Sequence, residues 1–253
     1  MSFGGSNTLV GGVGDDTYVY NFGSDDQATI IDTEGSSDVL ELRGFSDDVS
    51  VSGTWSEDGS TLYLSFSEDG SDVGGISIDV SEGSVLETLR IGEGGVEINL
   101  PNLYNKITVE GDGNVASSGI GDDFADVDGN DNTVSTGAGD DTVSVTGYRN
   151  TVSGEAGNDT ISLTGDANTA HGGAGDDTIS ISGGVNTALG GEGYDTILVD
   201  GSYNTADAGE GDDTIVVTGV SNFGIDGGAG DDTIEVTGFG NISKAGTGND
   251  TIN

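Results

Sequence analysis

The chain has no cysteine, a single proline, one histidine, one tryptophan and only five basic residues among 253. Without cysteine there is neither a disulfide framework nor a thiolate metal site, so any cross-linking must use oxygen donors. The five cations, Arg43, Arg90, Lys106, Arg149 and Lys244, are scattered, whereas nucleic acid and anionic lipid surfaces require them clustered. With His171 alone and no thiol, the side chains that usually carry acid–base and nucleophilic catalysis are missing, and a non-enzyme is expected. No apolar run approaches the roughly 18 residues of a membrane span. The first twenty residues lack a basic start followed by an apolar stretch, so membrane insertion is not expected and export would need another signal.

What is abundant is glycine, at 48 residues, and negative charge: 46 acidic residues set the formal net charge at −41. Self-repulsion on this scale opposes compaction unless cations are built into the fold. Hydrophobic residues make up 32% and aromatics 6%, so any core must be thin.

From about Val109 onward the sequence repeats with a period of 18, made of two unlike nine-residue halves. One half reads Gly-x-Gly-Asp-Asp-Thr-Ile-x-Val and places its second aspartate at Asp123, Asp141, Asp159, Asp177, Asp195, Asp213, Asp232 and Asp250. The other reads x-Gly-x-x-Asn-Thr-Ala/Val, with Asn114, Asn132, Asn150, Asn168, Asn186, Asn204, Asn222 and Asn241. One aspartate step, from Asp213 to Asp232, is 19, which puts an extra residue in or near Asn222 to Gly228. Each half joins a glycine turn to a short alternating segment such as Thr178-Ile179-Ser180-Ile181-Ser182, the pattern of a half-buried strand. Ile179 and Ile181 are expected inward with Thr178, Ser180 and Ser182 outward, and Ala170, Ala188 and Ala206 make the opposite inner face small. The fold expected is all-β, a parallel β-roll or solenoid of 18-residue coils.

The segment from Gly172 to Ser180, Gly-Gly-Ala-Gly-Asp-Asp-Thr-Ile-Ser, matches the nonapeptide G-G-x-G-x-D-x-U-x, as does Gly11 to Val19. In this the chain resembles the repeats-in-toxin (RTX) family of calcium-binding β-rolls. The resemblance implies Ca2+ held between loops one coil apart, with glycines turning carbonyls toward the ion and aspartates supplying carboxylate oxygen. Carried over by motif, the ligand aspartates are Asp16, Asp123, Asp141, Asp159, Asp177, Asp195, Asp213, Asp232 and Asp250. The loop glycines are Gly12, Gly14, Gly119, Gly121, Gly137, Gly139, Gly157, Gly173, Gly175, Gly191, Gly193, Gly209, Gly211, Gly228, Gly230, Gly246 and Gly248. The eight loops from Asp123 to Asp250 leave gaps for about seven ions, more on polymerisation, which lowers −41 to roughly −27. Departures from the motif are Glu155 at the second glycine, Ser118, Thr136, Ala208 and Ala245 at the first, and Tyr194 before its aspartate. Glu155 puts the carbonyl geometry of its own loop in question. The asparagine half is expected to hold no calcium. Its neutral side chains either hydrogen-bond amide to amide along the axis or serve only as turn formers.

Three domains are expected: an N-terminal coil over 1–19, an antiparallel β insert over 20–99 containing Trp55, and the solenoid over 100–253. The insert resembles the β segment that accompanies repeats in haemolysin-type calcium-binding proteins. Ser2 to Val10 has the asparagine pattern and Ala245 to Asn253 the aspartate pattern, so the two ends are in phase. The leading expectation is a secreted, calcium-folded scaffold of an extracellular matrix or biofilm that associates with itself head to tail and meets matrix polysaccharide. Against it stand a β-roll excised from a larger secreted toxin, adhesin or exoenzyme, and an ice-binding solenoid presenting Thr142, Thr160, Thr178, Thr196, Thr214 and Thr233 on a flat face.

Overall fold

In this computed structural model the described residues are 6–10, 17–21, 26–31, 39–43, 49–55, 61–68, 71–79, 88–91, 97–99 and 106–253. They form strands and turns, with no helix among them. The strands of the first part are β1 (Ser6–Val10), β2 (Thr17–Asn21), β3 (Asp26–Ile31), β4 (Val39–Arg43) and β5 (Val49–Trp55). β6 (Thr61–Glu68), β7 (Ser71–Asp79), β8 (Thr88–Ile91), β9 (Glu97–Asn99), β10 (Lys106–Glu110) and β11 (Val115–Ser117) follow. The regular part continues through β12 (Phe124–Asp128), β13 (Thr133–Ala138), β14 (Thr142–Thr146), β15 (Thr151–Ala156), β16 (Thr160–Thr164), β17 (Thr169–Ala174) and β18 (Thr178–Gly184). It ends with β19 (Thr187–Glu192), β20 (Thr196–Ser202), β21 (Thr205–Glu210), β22 (Thr214–Val220), β23 (Phe223–Ala229), β24 (Thr233–Phe239), β25 (Ile242–Thr247) and β26 (Thr251–Ile252).

Two sheets result. From β9 onward the odd strands, entered from β11 on through asparagine turns, build the asparagine sheet, and from β8 onward the even strands build the aspartate sheet. Pairing is parallel with an 18-residue register, as in Thr160↔Thr178 and Thr169↔Thr187. Parallel pairing follows from the repeat itself: identical halves one coil apart run in the same direction, and their outward threonines and inward aliphatics fall into columns.

The core is one aliphatic layer. Ile161, Leu163, Ile179, Ile181, Ile197 and Val199 of the aspartate sheet are fully buried against Val152, Ala170, Ala188 and Ala206 of the asparagine sheet. Large residues thus face small ones, which lets two sheets close over a layer too thin for large residues on both sides. Residues 178 to 182 alternate outward and inward as the sequence pattern requires. The extra residue of the 19-residue step is Gly224: Ala206 pairs with Ile225, and the register between β23 and β25 shifts between Phe223 and Ile225.

The insert expected over 20–99 needs redrawing. Antiparallel pairing occurs between β5 and β6 and between β6 and β7. β3, β4, β8 and β9 pair in parallel and belong to the two sheets of the roll. The asparagine sheet runs β3-β7-β6-β5-β9 where the aspartate sheet steps directly from β4 to β8. Alternation along a strand reports which side is buried and carries no information about direction, so sequence periodicity alone could not separate these cases. The side chain of Trp55 lies outside the described residues, as do Gly12, Gly14 and Asp16.

Candidate metal centre

Each aspartate turn leads from the asparagine sheet into the aspartate sheet. In the turn at Gly173 and Gly175 both glycines have φ of +130°, and a Cβ at either would run into a carbonyl oxygen of the preceding coil, that of Glu155 or Gly157. Coil-to-coil contact at the backbone therefore forces glycine at these two positions. All the motif glycines from Gly119 to Gly248 share this left-handed conformation, with φ between 99° and 148°. Glu155 adopts it too, at φ 81°, so its loop keeps the shape of its neighbours at the expense of strain on a residue with a Cβ. Its carboxylate accepts hydrogen bonds from the hydroxyls of Ser153 and Ser135.

The aspartates at the ends of these turns point inward and form a buried column, with Asp141, Asp159, Asp177, Asp195, Asp213 and Asp232 no more than 2% exposed. Asp250, in the last coil, is partly exposed. Along the column one carboxylate oxygen, Oδ1, accepts the backbone N–H of the aspartate one coil earlier. Asp159 N donates to Asp177 Oδ1 at 2.7 Å and Asp177 N to Asp195 Oδ1 at 2.8 Å.

The asparagine column on the opposite edge begins in the same way. Asn150 N donates to Asn168 Oδ1 at 2.9 Å and Asn168 N to Asn186 Oδ1 at 2.8 Å. The second atom of the side chain then makes the difference. Asn168 Nδ2 donates to the Gly147 carbonyl at 2.9 Å, and Asn132, Asn150, Asn186, Asn204 and Asn222 repeat the contact on their own glycines. The ladder is thus side chain to backbone rather than amide to amide; the amide contact from Asn222 Nδ2 to Asn241 Oδ1 at 3.1 Å occurs beside the Gly224 insertion. In the aspartate column the corresponding atom is Oδ2, which can only accept. Oδ2 of Asp141, Asp159, Asp177, Asp195, Asp213 and Asp232 is buried and takes part in no hydrogen bond.

A buried carboxylate with one oxygen left bare is costly in its charged form. Burial pushes the Asp177 carboxyl up to about 7, and the charges of Asp195, Asp159 and Asp176 add to the rise. Burial likewise lifts Asp159 and Asp213 to about 6, against the hydrogen bonds from Asp141 and Asp195 that favour the ion. Asp141, Asp195 and Asp232 are raised for the same first reason, burial.

In the coils of Asp159, Asp177, Asp195 and Asp232 the first residue of the motif, toward which Oδ2 points, has no side chain. A Cβ at Gly172 would fall 2.7 Å from the carbonyl oxygen of Gly190 and closer still to Asp177 Oδ2. Equivalent cradles lie at Gly154 with Asp159 and Gly172 O, at Gly190 with Asp195 and Ala208 O, and at Gly227 with Asp232 and Ala245 O. Each cradle therefore gathers a carboxylate oxygen and a carbonyl oxygen from the next coil. Both are hard acceptors, and a hard cation is the species such a donor set suits. Among the described residues no three acidic or histidine side chains gather at one point. A bound Ca2+ would take one carboxylate from each aspartate and would need backbone carbonyls and water to complete its six to eight oxygens.

Comparison with known families agrees with this donor chemistry. The RTX calcium-binding nonapeptide repeat model matches residues 4–26, 180–215 and 225–236, and the model for the C-terminal repeat of RTX toxins matches 208–223. The matched segments are RTX calcium-binding repeats. A further model, for a protein family of unknown function (DUF3060), matches residues 127–185. No curated protein matches the chain. The other half of each 18-residue coil ends in an asparagine whose amide donates to a glycine carbonyl.

Sequence reasoning placed the aspartate column but missed two features. One is the role of the first motif position, legible only once the inward direction of that residue is known. The other is the left-handed residue before each asparagine: Asp131, Arg149, Ala167, Val185, Tyr203 and Ser221 have φ of 56° to 62°. Gly113 and Gly240, at the same position in other coils, were the available signal.

Proposed function

We propose that this chain is an extracellular, calcium-folded scaffold whose chemistry is binding and whose product is a rigid rod. The observation that carries the reading is the contrast between the two edges: the asparagine column closes its own hydrogen bonds, whereas the aspartate column buries carboxylate oxygens that only a proton or a cation can neutralise. Calcium binding would then be coupled to folding, since the column does not exist in the unfolded chain. RTX repeats and the net charge of −41 suit a calcium-rich, oxidising exterior, and the lack of cysteine is no obstacle there. Self-association through stacked coils belongs to the same reading.

Circular dichroism of metal-free protein during calcium titration tests the central claim: the β signal should appear or sharpen with calcium, and thermal stability should rise. A metal-free protein with the same spectrum and the same melting temperature would refute it. Light scattering on the calcium-loaded protein tests association separately, with monomers at high concentration the refuting result.

A further inference from the structure

The first motif position is inward-facing in every described coil, yet its occupants differ. Gly154, Gly172, Gly190 and Gly227 leave the cradle open beside Asp159, Asp177, Asp195 and Asp232. Ser118 and Thr136 fill it with a hydroxyl, and both side chains are buried. Ser118 Oγ donates to the Thr136 carbonyl at 3.0 Å, and Thr136 Oγ1 lies 3.4 Å from the Gly154 carbonyl. These are the carbonyls that in the glycine coils face the open cradle. The Thr136 hydroxyl is thus turned to the next coil's carbonyls. Asp141 Oδ2 in the same coil is buried and takes part in no hydrogen bond. Ala208 is fully buried and puts a methyl at this position in the coil of Asp213.

We infer that the first motif residue decides which coils take a calcium ion: coils with glycine there are metal sites, and those with serine, threonine or alanine are not. This rests on the calcium reading above and refines it. The gaps that begin at Asp159, Asp177, Asp195 and Asp232 are the sites; those at Asp123, Asp141 and Asp213 are closed by side-chain atoms. Four such sites replace the seven expected from counting aspartates. The hydroxyls at Ser118 and Thr136 engage the next coil's carbonyl oxygens, which an ion would need as ligands. The steric part of the argument is direct: a Cβ at Gly172 would clash with Asp177 Oδ2 and the Gly190 carbonyl oxygen, so a side chain there must displace oxygens that an ion would need.

Isothermal titration calorimetry with calcium on the full chain, paired with circular dichroism at saturating calcium, reads the outcome. Thr136→Gly should add one ion per chain, and Gly172→Thr should remove one. Thr136→Gly only deletes atoms, so it keeps the test sound if Gly172→Thr fails to fold. Wild-type protein that binds calcium, with stoichiometry unchanged in a folded Thr136→Gly variant, would overturn this inference and leave the calcium reading standing; that is also the result expected if the cradles hold only water. Wild-type protein that binds no calcium would overturn both.

Discussion

Removing the metal and then lowering the pH should restore what the metal supplied. Asp159 and Asp213 titrate near 6 and Asp177 near 7 in the folded chain, against an ordinary value of 3.8. A raised folded-state value means that the fold holds the proton more tightly than the unfolded chain does. The metal-free fold therefore has its full share of this stability below about pH 4 and loses it as the pH climbs through 6 and 7. Moving one carboxyl from 3.8 to about 6 corresponds to about 3 kcal/mol at 1.4 kcal/mol per pH unit, and to about 4 for Asp177. The three aspartates sit in one column and share part of the same penalty, so roughly 5 kcal/mol is a sounder total than the full sum. That is comparable with the whole stability of an ordinary domain. Urea unfolding of metal-free protein, followed by circular dichroism from pH 4 to pH 8, measures it. Because acid also relieves the general repulsion of a −41 chain, the comparison is with Asp159→Asn, Asp177→Asn and Asp213→Asn combined, which should flatten most of the slope. A metal-free wild type that grows more stable from pH 4 to pH 8 would refute the reasoning. With calcium present the trend should reverse, since protons and the ion compete for the same oxygens.

Other substitutions separate the two edges. Asp177→Asn supplies a donor where Oδ2 is bare, and should raise metal-free stability by about 1 to 3 kcal/mol while removing one calcium in calorimetry. Asn168→Asp does the opposite: it loses the donation to Gly147 and buries a charge, and should lower stability by about 3 kcal/mol or more in urea unfolding at neutral pH. Glu155→Gly should stabilise by about 1 kcal/mol at unchanged calcium stoichiometry, because relief at φ 81° outweighs two exposed hydrogen bonds to Ser153 and Ser135. Ile179→Ala should cost about 2 to 5 kcal/mol in calcium, since the facing Ala170 and Ala188 cannot fill the hole.

The period of 18, the inward Ile179 and Ile181, the small inner face at Ala170, Ala188 and Ala206, and the place of the extra residue near Gly224 were all legible in the sequence. A repeat states its own register, because each coil pairs with a copy of itself. Outside the repeat that help vanishes. Residues 61 to 66 alternate as clearly as any strand, but direction depends on the connection, and the signal was the Asp69-Gly70 pair between β6 and β7, a two-residue hairpin sequence. The left-handed residues before the asparagines were hidden for a different reason: Val185 and Tyr203 have no local preference for that conformation. They are held there by the stacked turn, through contacts such as Val185 N to Ser202 O.

The two halves of each coil use different turns but share one axial hydrogen bond, and they differ functionally through one atom. Both buried side chains offer an oxygen to the backbone amide one coil away, so both edges gain the same axial ladder. An amide then carries its own donor and closes on a glycine carbonyl, giving an edge that is complete on folding. A carboxylate carries a second acceptor and gives an edge that stays incomplete until something positive arrives. If both halves were of the asparagine kind, the roll would fold regardless of its surroundings. If both were of the aspartate kind, it would need metal on both edges. On the proposed calcium reading, one edge of each would make stability respond to calcium while half of the ladder remains in place, and the residue at the first motif position would set how many coils share that response.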